Sequence, residues 1–177
     1  GNVRQFEDYL SNNSFPDATK GSLDTSYYEA AQLMYQRGEM VSTMQEFEKY
    51  LKKFPNGYFA LDAHYFKAEV ALDLKKYDEA LLDFNHVLEY AKTSYTERAL
   101  VAAAQIHMYQ KEFGQAQLKY AMLEEIAERS ENKLEARIGL MRTYFKTEAF
   151  ELADDYTQKI LRSDRVEKSL KDEANLI

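Results

Sequence analysis

The chain contains no cysteine, 2 prolines and 6 glycines in 177 residues. Without cysteine there is no disulfide, no thiolate metal site and no thiol nucleophile. Scarce proline and glycine disfavour an all-β sandwich, whose many turns need them, and favour long helices with short connections. No apolar run approaches the roughly 18 residues of a spanning helix, so no membrane contact is expected from this segment. A basic stripe is also missing. The formal charge is −7 with both signs interspersed, which disfavours nucleic acid as a partner. Phosphate-binding glycine loops, a GxSxG elbow and an HExxH pair are all absent. No catalytic residue, metal site or cofactor is therefore assigned, and the chain reads as a non-enzyme.

What the sequence does have is apolar content, 45% of residues, and a repeat. Tyr77 stands three residues before Ala80, Phe113 before Ala116 and Phe150 before Ala153. A fourth copy sets Met40 before Thr43. The small-residue slots Thr43, Ala80, Ala116 and Ala153 recur at intervals of 37, 36 and 37 residues. Phe47, Phe84, Tyr120 and Thr157 follow four residues later, with Tyr156 beside the last. A small residue lets two helix backbones approach, and an aromatic one turn on fills the space beside it. Ala80, Ala116 and Ala153 are accordingly expected to be buried.

Upstream of each turn lies a second amphipathic stretch. Its inward faces read Tyr27, Ala30, Ala31, Met34; His64, Lys67, Ala68, Ala71; Leu100, Ala103, Ala104, His107; and Arg137, Leu140, Met141, Tyr144. The i, i+3, i+4, i+7 spacing is helical. Each copy is thus a helix, a turn and a second helix. Ten helices are expected, over 3–13, 24–37, 40–54, 59–74, 77–91, 95–110, 113–129, 133–146, 149–163 and 166–176.

The pattern of a small residue, a turn, then alanine and an aromatic four residues apart resembles the tetratricopeptide repeat (TPR) family. The resemblance covers nearly the whole chain, with a period slightly above the family's usual value of about 34 residues. Closing prolines stand at Pro16 and Pro55. The junction from Phe54 to Ala63 is similar to bacterial cell-envelope TPR proteins, notably outer-membrane assembly lipoproteins, Tol-Pal coordinator proteins and large multi-repeat Bacteroidetes proteins. The resemblance implies an all-α, right-handed superhelical solenoid of helical hairpins. It also implies a periplasmic or outer-membrane-associated location, with the cytoplasm as the alternative. In this reading the chain is a single array: 1–23 the second helix of a truncated repeat, 24–60, 61–96, 97–133 and 134–165 four repeats, and 166–177 the first helix of another. Both ends then fall inside a longer array.

Stacked hairpins would set the first helices side by side, and the stripe one residue beyond each inward face would line a concave wall. That stripe comprises Tyr28, Gln32 and Tyr35; Tyr65, Glu69 and Leu72; Val101, Gln105 and Met108; and Ile138, Arg142 and Phe145. Large residues flanking one polar residue suit peptide recognition. For Tyr65, Val101 and Ile138, packing between first helices is the competing role. The opposite, convex face is expected to be polar. TPR chaperone adaptors clamp a terminal carboxylate with several basic residues. The matching positions here hold Tyr28, Gln32, Phe66, Arg98 and Ala102, too few donors for one anion.

His64 and His107 occupy inward slots and read as hydrogen-bonded core histidines, with His86 on a separate helix. Asp154 and Asp155 point in different directions on a helix and read as solvated. Lys67 and Arg137 sit in apolar slots, with stems expected to pack and heads to reach outward. The resulting reading is a protein-interaction scaffold that binds a peptide or protein in its groove, within a bacterial envelope complex. The alternative is a structural spacer or self-assembly module with no peptide ligand.

Overall fold

A computed structural model describes the backbone of residues 18–162 and the side chains of residues 23–162. Those residues form eight helices and no strand. They are α1 (Ala18–Gln36), α2 (Met40–Lys53), α3 (Ala60–Asp73), α4 (Tyr77–Glu89), α5 (Thr96–Tyr109), α6 (Phe113–Ile126), α7 (Ser130–Lys146) and α8 (Phe150–Leu161). The expected helices over 3–13 and 166–176 lie outside the described residues. The other eight expected helices are all present. The largest difference is at α1, which starts at Ala18 instead of residue 24. Gly21 does not stop it, because one glycine costs a helix only about 1 kcal/mol.

The chain divides into two compact units, Gly1–Glu89 and Tyr90–Ile177. In the first, α1 packs on α2, α2 on α3 and α3 on α4. In the second, α5 packs on α6, α6 on α7 and α7 on α8, while the first helices α5 and α7 also touch each other.

All four hairpins turn by the same backbone device. Gly38, Lys75, Lys111 and Glu148 have φ of 71°, 59°, 61° and 61°. The N–H of each bonds back to the carbonyl three residues earlier, as Gly38 does to Tyr35 at 3.0 Å. The next N–H reaches five residues back, Glu39 to Met34, Lys76 to Ala71, Glu112 to His107 and Ala149 to Tyr144. This pair of bonds is the Schellman motif, which satisfies carbonyls left open at a helix end. Only the first copy uses glycine. The other three hold side chains in the left-handed region, at roughly 1 kcal/mol each.

The interior follows the repeat. Thr43, Ala80, Ala116 and Ala153 are fully buried, as are Ala31, Ala68 and Ala104 on the first helices. Phe47 and Phe84 are fully buried, and Tyr120 nearly so. Tyr120 packs across the α7 backbone at Gly139, where an added Cβ would collide with the ring. In the fourth copy Thr157 fills the aromatic slot, and neighbouring Tyr156 stacks on Tyr144, with ring centroids 5.6 Å apart.

A carboxylate on the first helix of a repeat ties down the junction that leads to the next repeat. Asp24 accepts the Tyr50 hydroxyl at 2.5 Å and the Tyr58 N–H at 2.8 Å. Glu97 accepts the Glu128 N–H at 2.9 Å and the Asn132 amide at 2.6 Å. Gly57 keeps the first junction tight, since a Cβ there would run into the Tyr50 hydroxyl.

Two outward-reaching cations need correction. Lys67 does not extend to solvent; its Nζ lies 2.9 Å from Asp83, which is buried and also meets His64 Nδ1 at 2.7 Å. Arg137 likewise holds Glu124 at 2.9 Å. A buried carboxylate demands such partners, and the cations in the apolar slots supply them.

Candidate partner-binding surface

The candidate surface is the outer stripe of the first helices, taken unit by unit. Gln32, Glu69, Gln105 and Arg142 of this stripe sit one helical step, about 100°, beyond the buried Ala31, Ala68, Ala104 and Met141. Packing against the second helix therefore fixes which way they face.

In the first unit the stripe belongs to α1 and α3. Tyr28 is half-buried. Its ring stacks on Phe59, with centroids 4.3 Å apart and planes 7° from parallel, and Gln32 donates to its hydroxyl at 2.7 Å. Burial, then the charge of Asp62, pushes its phenol up to about 12. Tyr35 leans on Phe66 across the two first helices, with centroids 5.1 Å apart. Gln32, Tyr35, Glu69 and Leu72 all keep partial exposure. Tyr65 does not. At 2% exposure it packs against Phe66 and Phe84 and has no surface to offer a partner. That corrects the reading of Tyr65 as a wall residue: its ring fills the α3–α4 interior.

In the second unit the stripe belongs to α5 and α7. Gln105 and Arg142 are exposed, and Val101, Met108 and Phe145 are half-buried. Ile138 is buried in a cluster with Met141 and Ile160, which assigns it to packing. Gln105 donates to Glu135 at 3.1 Å, bridging α5 and α7. Met108 rests on the core of Ala104, Ala116, Tyr120 and Leu140. Phe145 meets Phe150 edge-on at 5.7 Å. Both side chains are therefore backed by protein on one side and open on the other, which limits the entropy cost of using them as anchors.

The histidines have structural partners. His107 is buried, with Nδ1 2.7 Å from Glu112. His64, besides meeting Asp83, stacks on His86 at 4.6 Å between centroids. Among the described residues no group of three or more His, Asp or Glu side chains is arranged to hold a metal ion. No described helix is long and apolar enough to cross a membrane.

The second helices are less polar than their sequence suggested. Leu82 of α4 is exposed, as are Leu118 and Met122 of α6 and Leu152 of α8. This corrects the expectation of a polar outer face. On α6, Leu118, Ala121 and Met122 lie on the side opposite the buried Ala116, Tyr120 and Leu123. Gln115, Gln117, Lys119, Glu124 and Glu125 are interspersed with them round the helix.

No protein-family model matches the chain, and no curated protein matches it. A tetratricopeptide repeat protein from Parabacteroides merdae ATCC 43184, known from a crystal structure, shares its fold with a TM-score of 0.67 at 17% identity. The alignment covers 82% of this chain, which spans 55% of that structure. Eight helices in sequential hairpins, a common turn at each repeat and this likeness together show that the chain has the tetratricopeptide repeat fold.

Proposed function

We propose that the chain is a protein-interaction scaffold whose first-helix walls take a peptide or protein partner. The observation that carries this reading is the split between two adjacent stripes. One packs against the second helices, with Ala31, Ala68, Ala104 and Met141 fully buried. The next keeps Gln32, Tyr35, Leu72, Gln105, Met108, Arg142 and Phe145 accessible. Half-open aromatic and thioether side chains beside polar ones are what a peptide groove needs. Replacing Tyr35 and Phe145 with serine should leave the fold intact and abolish capture of a partner from the native host. Undiminished capture by the double variant would refute the assignment.

The similarity of the Phe54–Ala63 junction to envelope TPR proteins supports a role in a bacterial envelope complex. Fractionation of the native host tests it: a periplasmic or outer-membrane-associated pool is expected, and a wholly cytoplasmic one would contradict it.

A second reading, a spacer or self-assembly module, draws support from the exposed Leu118 and Met122 on α6. Light scattering across concentrations separates the two, since self-assembly makes the mass rise with concentration.

A further inference from the structure

The junction between α2 and α3 holds the one Asn-Gly pair in the sequence, Asn56–Gly57. Packing requires the glycine. A Cβ at 57 would meet the Tyr50 hydroxyl, the Phe54 side chain and Asp24 Oδ2. Asn56 is exposed. An asparagine ahead of glycine is chemically labile, because no Cβ screens the glycine nitrogen from the asparagine side chain.

The chemistry is ring closure. The Gly57 nitrogen, once it has lost its proton, attacks Asn56 Cγ. A C–N bond forms, the bond from Cγ to the side-chain nitrogen breaks, and ammonia leaves with the displaced proton. Water then opens the succinimide at either carbonyl. One opening gives aspartate, the other isoaspartate, whose main chain runs through Cβ and Cγ. The balance is a water taken up and an ammonia released, with no change of oxidation state.

The closed junction opposes this reaction. Residues 54–57 form a turn in which the Gly57 N–H donates to the Phe54 carbonyl at 3.0 Å. Asn56 does not have a left-handed φ. With Pro55 ahead of it the turn is type I, which sets the Asn56 ψ near about 0°. Ring closure needs the Gly57 nitrogen rotated about the Asn56 Cα–C bond until it eclipses Cβ, well away from that position. The following segment is also pinned. Asp24 accepts the Tyr58 N–H at 2.8 Å, and the Tyr50 hydroxyl accepts the Phe59 N–H at 3.0 Å. Rotation would give up these bonds.

The isoaspartate product does not fit back. It lengthens the main chain by a carbon beside Gly57, where even a Cβ has no room. Phe59, two residues on, stacks on Tyr28 of the candidate wall, with centroids 4.3 Å apart. A lengthened junction displaces that ring. We infer that Asn56 is a conditional modification site, inert while the α2–α3 junction is closed and converted through succinimide to isoaspartate when it opens. Conversion then keeps the junction from closing.

The test is peptide mapping by mass spectrometry of the full chain held at mildly alkaline pH, with aspartate and isoaspartate products separated by chromatography. The folded chain, the chain in urea and folded Tyr50→Phe are compared. In urea Asn56 should convert faster than Asn85 and Asn132, chiefly to isoaspartate. In the folded chain its conversion should be slower by about ten-fold or more, because only the open fraction reacts. Tyr50→Phe, which deletes the acceptor of the Phe59 N–H, should restore part of the urea rate. Hydrogen exchange on the isolated isoaspartate form should show lost protection at Tyr58 and Phe59. Equal rates in the folded chain and in urea, or no acceleration by Tyr50→Phe, overturns the inference. So does an Asn56 slower than the other two in urea, or an isoaspartate form with unchanged protection. Should Tyr50→Phe be unfolded under these conditions, sub-denaturing urea on the parent chain replaces it. The Asn56 rate must then rise in step with amide exchange at Tyr58 and Phe59, and a rate indifferent to that opening overturns the inference equally.

Discussion

The ring of Tyr120 on α6 lies directly over the backbone of Gly139 on α7, and a Cβ at position 139 would penetrate it. Position 139 is mid-helix, where alanine ordinarily stabilises by about 1 kcal/mol over glycine. Here the sign should invert. Gly139→Ala is expected to destabilise by about 1–3 kcal/mol through overpacking, since the ring is buried and has nowhere to go. Thermal denaturation checks it, and a raised midpoint would show that Tyr120 can move aside.

The left-handed turn residues give the opposite expectation. Lys111 has φ 61°, and Cβ strain there is relieved by glycine. Lys111→Gly should stabilise by about 0.5–1 kcal/mol, the strain relief exceeding the extra freedom given to the unfolded chain. Gly38→Ala should cost about 1 kcal/mol by the same argument. Urea midpoints for the two variants should move in opposite directions. A shared direction would remove the strain argument.

Ala116 tests the hairpin interior. It is fully buried against the Ala104–Tyr120–Leu140 cluster. Ala116→Arg should cost on the order of 3 kcal/mol or more, by overpacking and by burying an unpaired charge. Because each repeat leans on its neighbours, the loss should also lower amide protection in α7. An unaltered melting temperature would show that the slot is not closed.

These slots show how far the sequence could be read. The alanine and aromatic positions recur because backbone approach and space filling act within one hairpin, and that leaves a local spacing. The left-handed turns did not show, because Lys75, Lys111 and Glu148 are not glycines and their φ is imposed by the fold. The partners of Lys67 and Arg137 were hidden for another reason. Asp83 and Glu124 sit on other helices, and no local pattern announces a cross-helix pair. For the candidate surface, a 100° step separates the buried Ala31, Ala68, Ala104 and Met141 from the more open Gln32, Glu69, Gln105 and Arg142. It did not separate Tyr65 from Leu72, because the adjacent ring of Phe66 and the α4 residue Phe84 decide that.

Acid should weaken the second unit. Burial alone would raise the Glu124 carboxyl, but hydrogen bonds from Arg137 and Tyr156, with the charges of Lys159 and Arg137, hold it below the ordinary range. Glu97 is partly buried too. The Glu128 N–H, Asn132, the Arg129 N–H and the charge of Lys92 hold it down as well. A carboxylate with a depressed folded value stabilises fully above its unfolded value, near about 4.3, and the contribution is lost as pH falls through the folded value. Stability should therefore be level near neutrality and decline as pH drops below about 5. Glu124→Gln should flatten part of that decline. A variant with the full acid slope would remove Glu124 from the account.

The central claim is that a partner lies on the first-helix wall and not on the second helices. Site-specific photo-crosslinking in the native host tests it most directly, with a photoreactive residue replacing Met108 on α5 in one strain and Leu118 on α6 in another. The account predicts a discrete protein adduct from position 108 that is lost when Phe145→Ser is added, and none from position 118. Adducts from position 118 alone, or an adduct at 108 indifferent to Phe145, would contradict it.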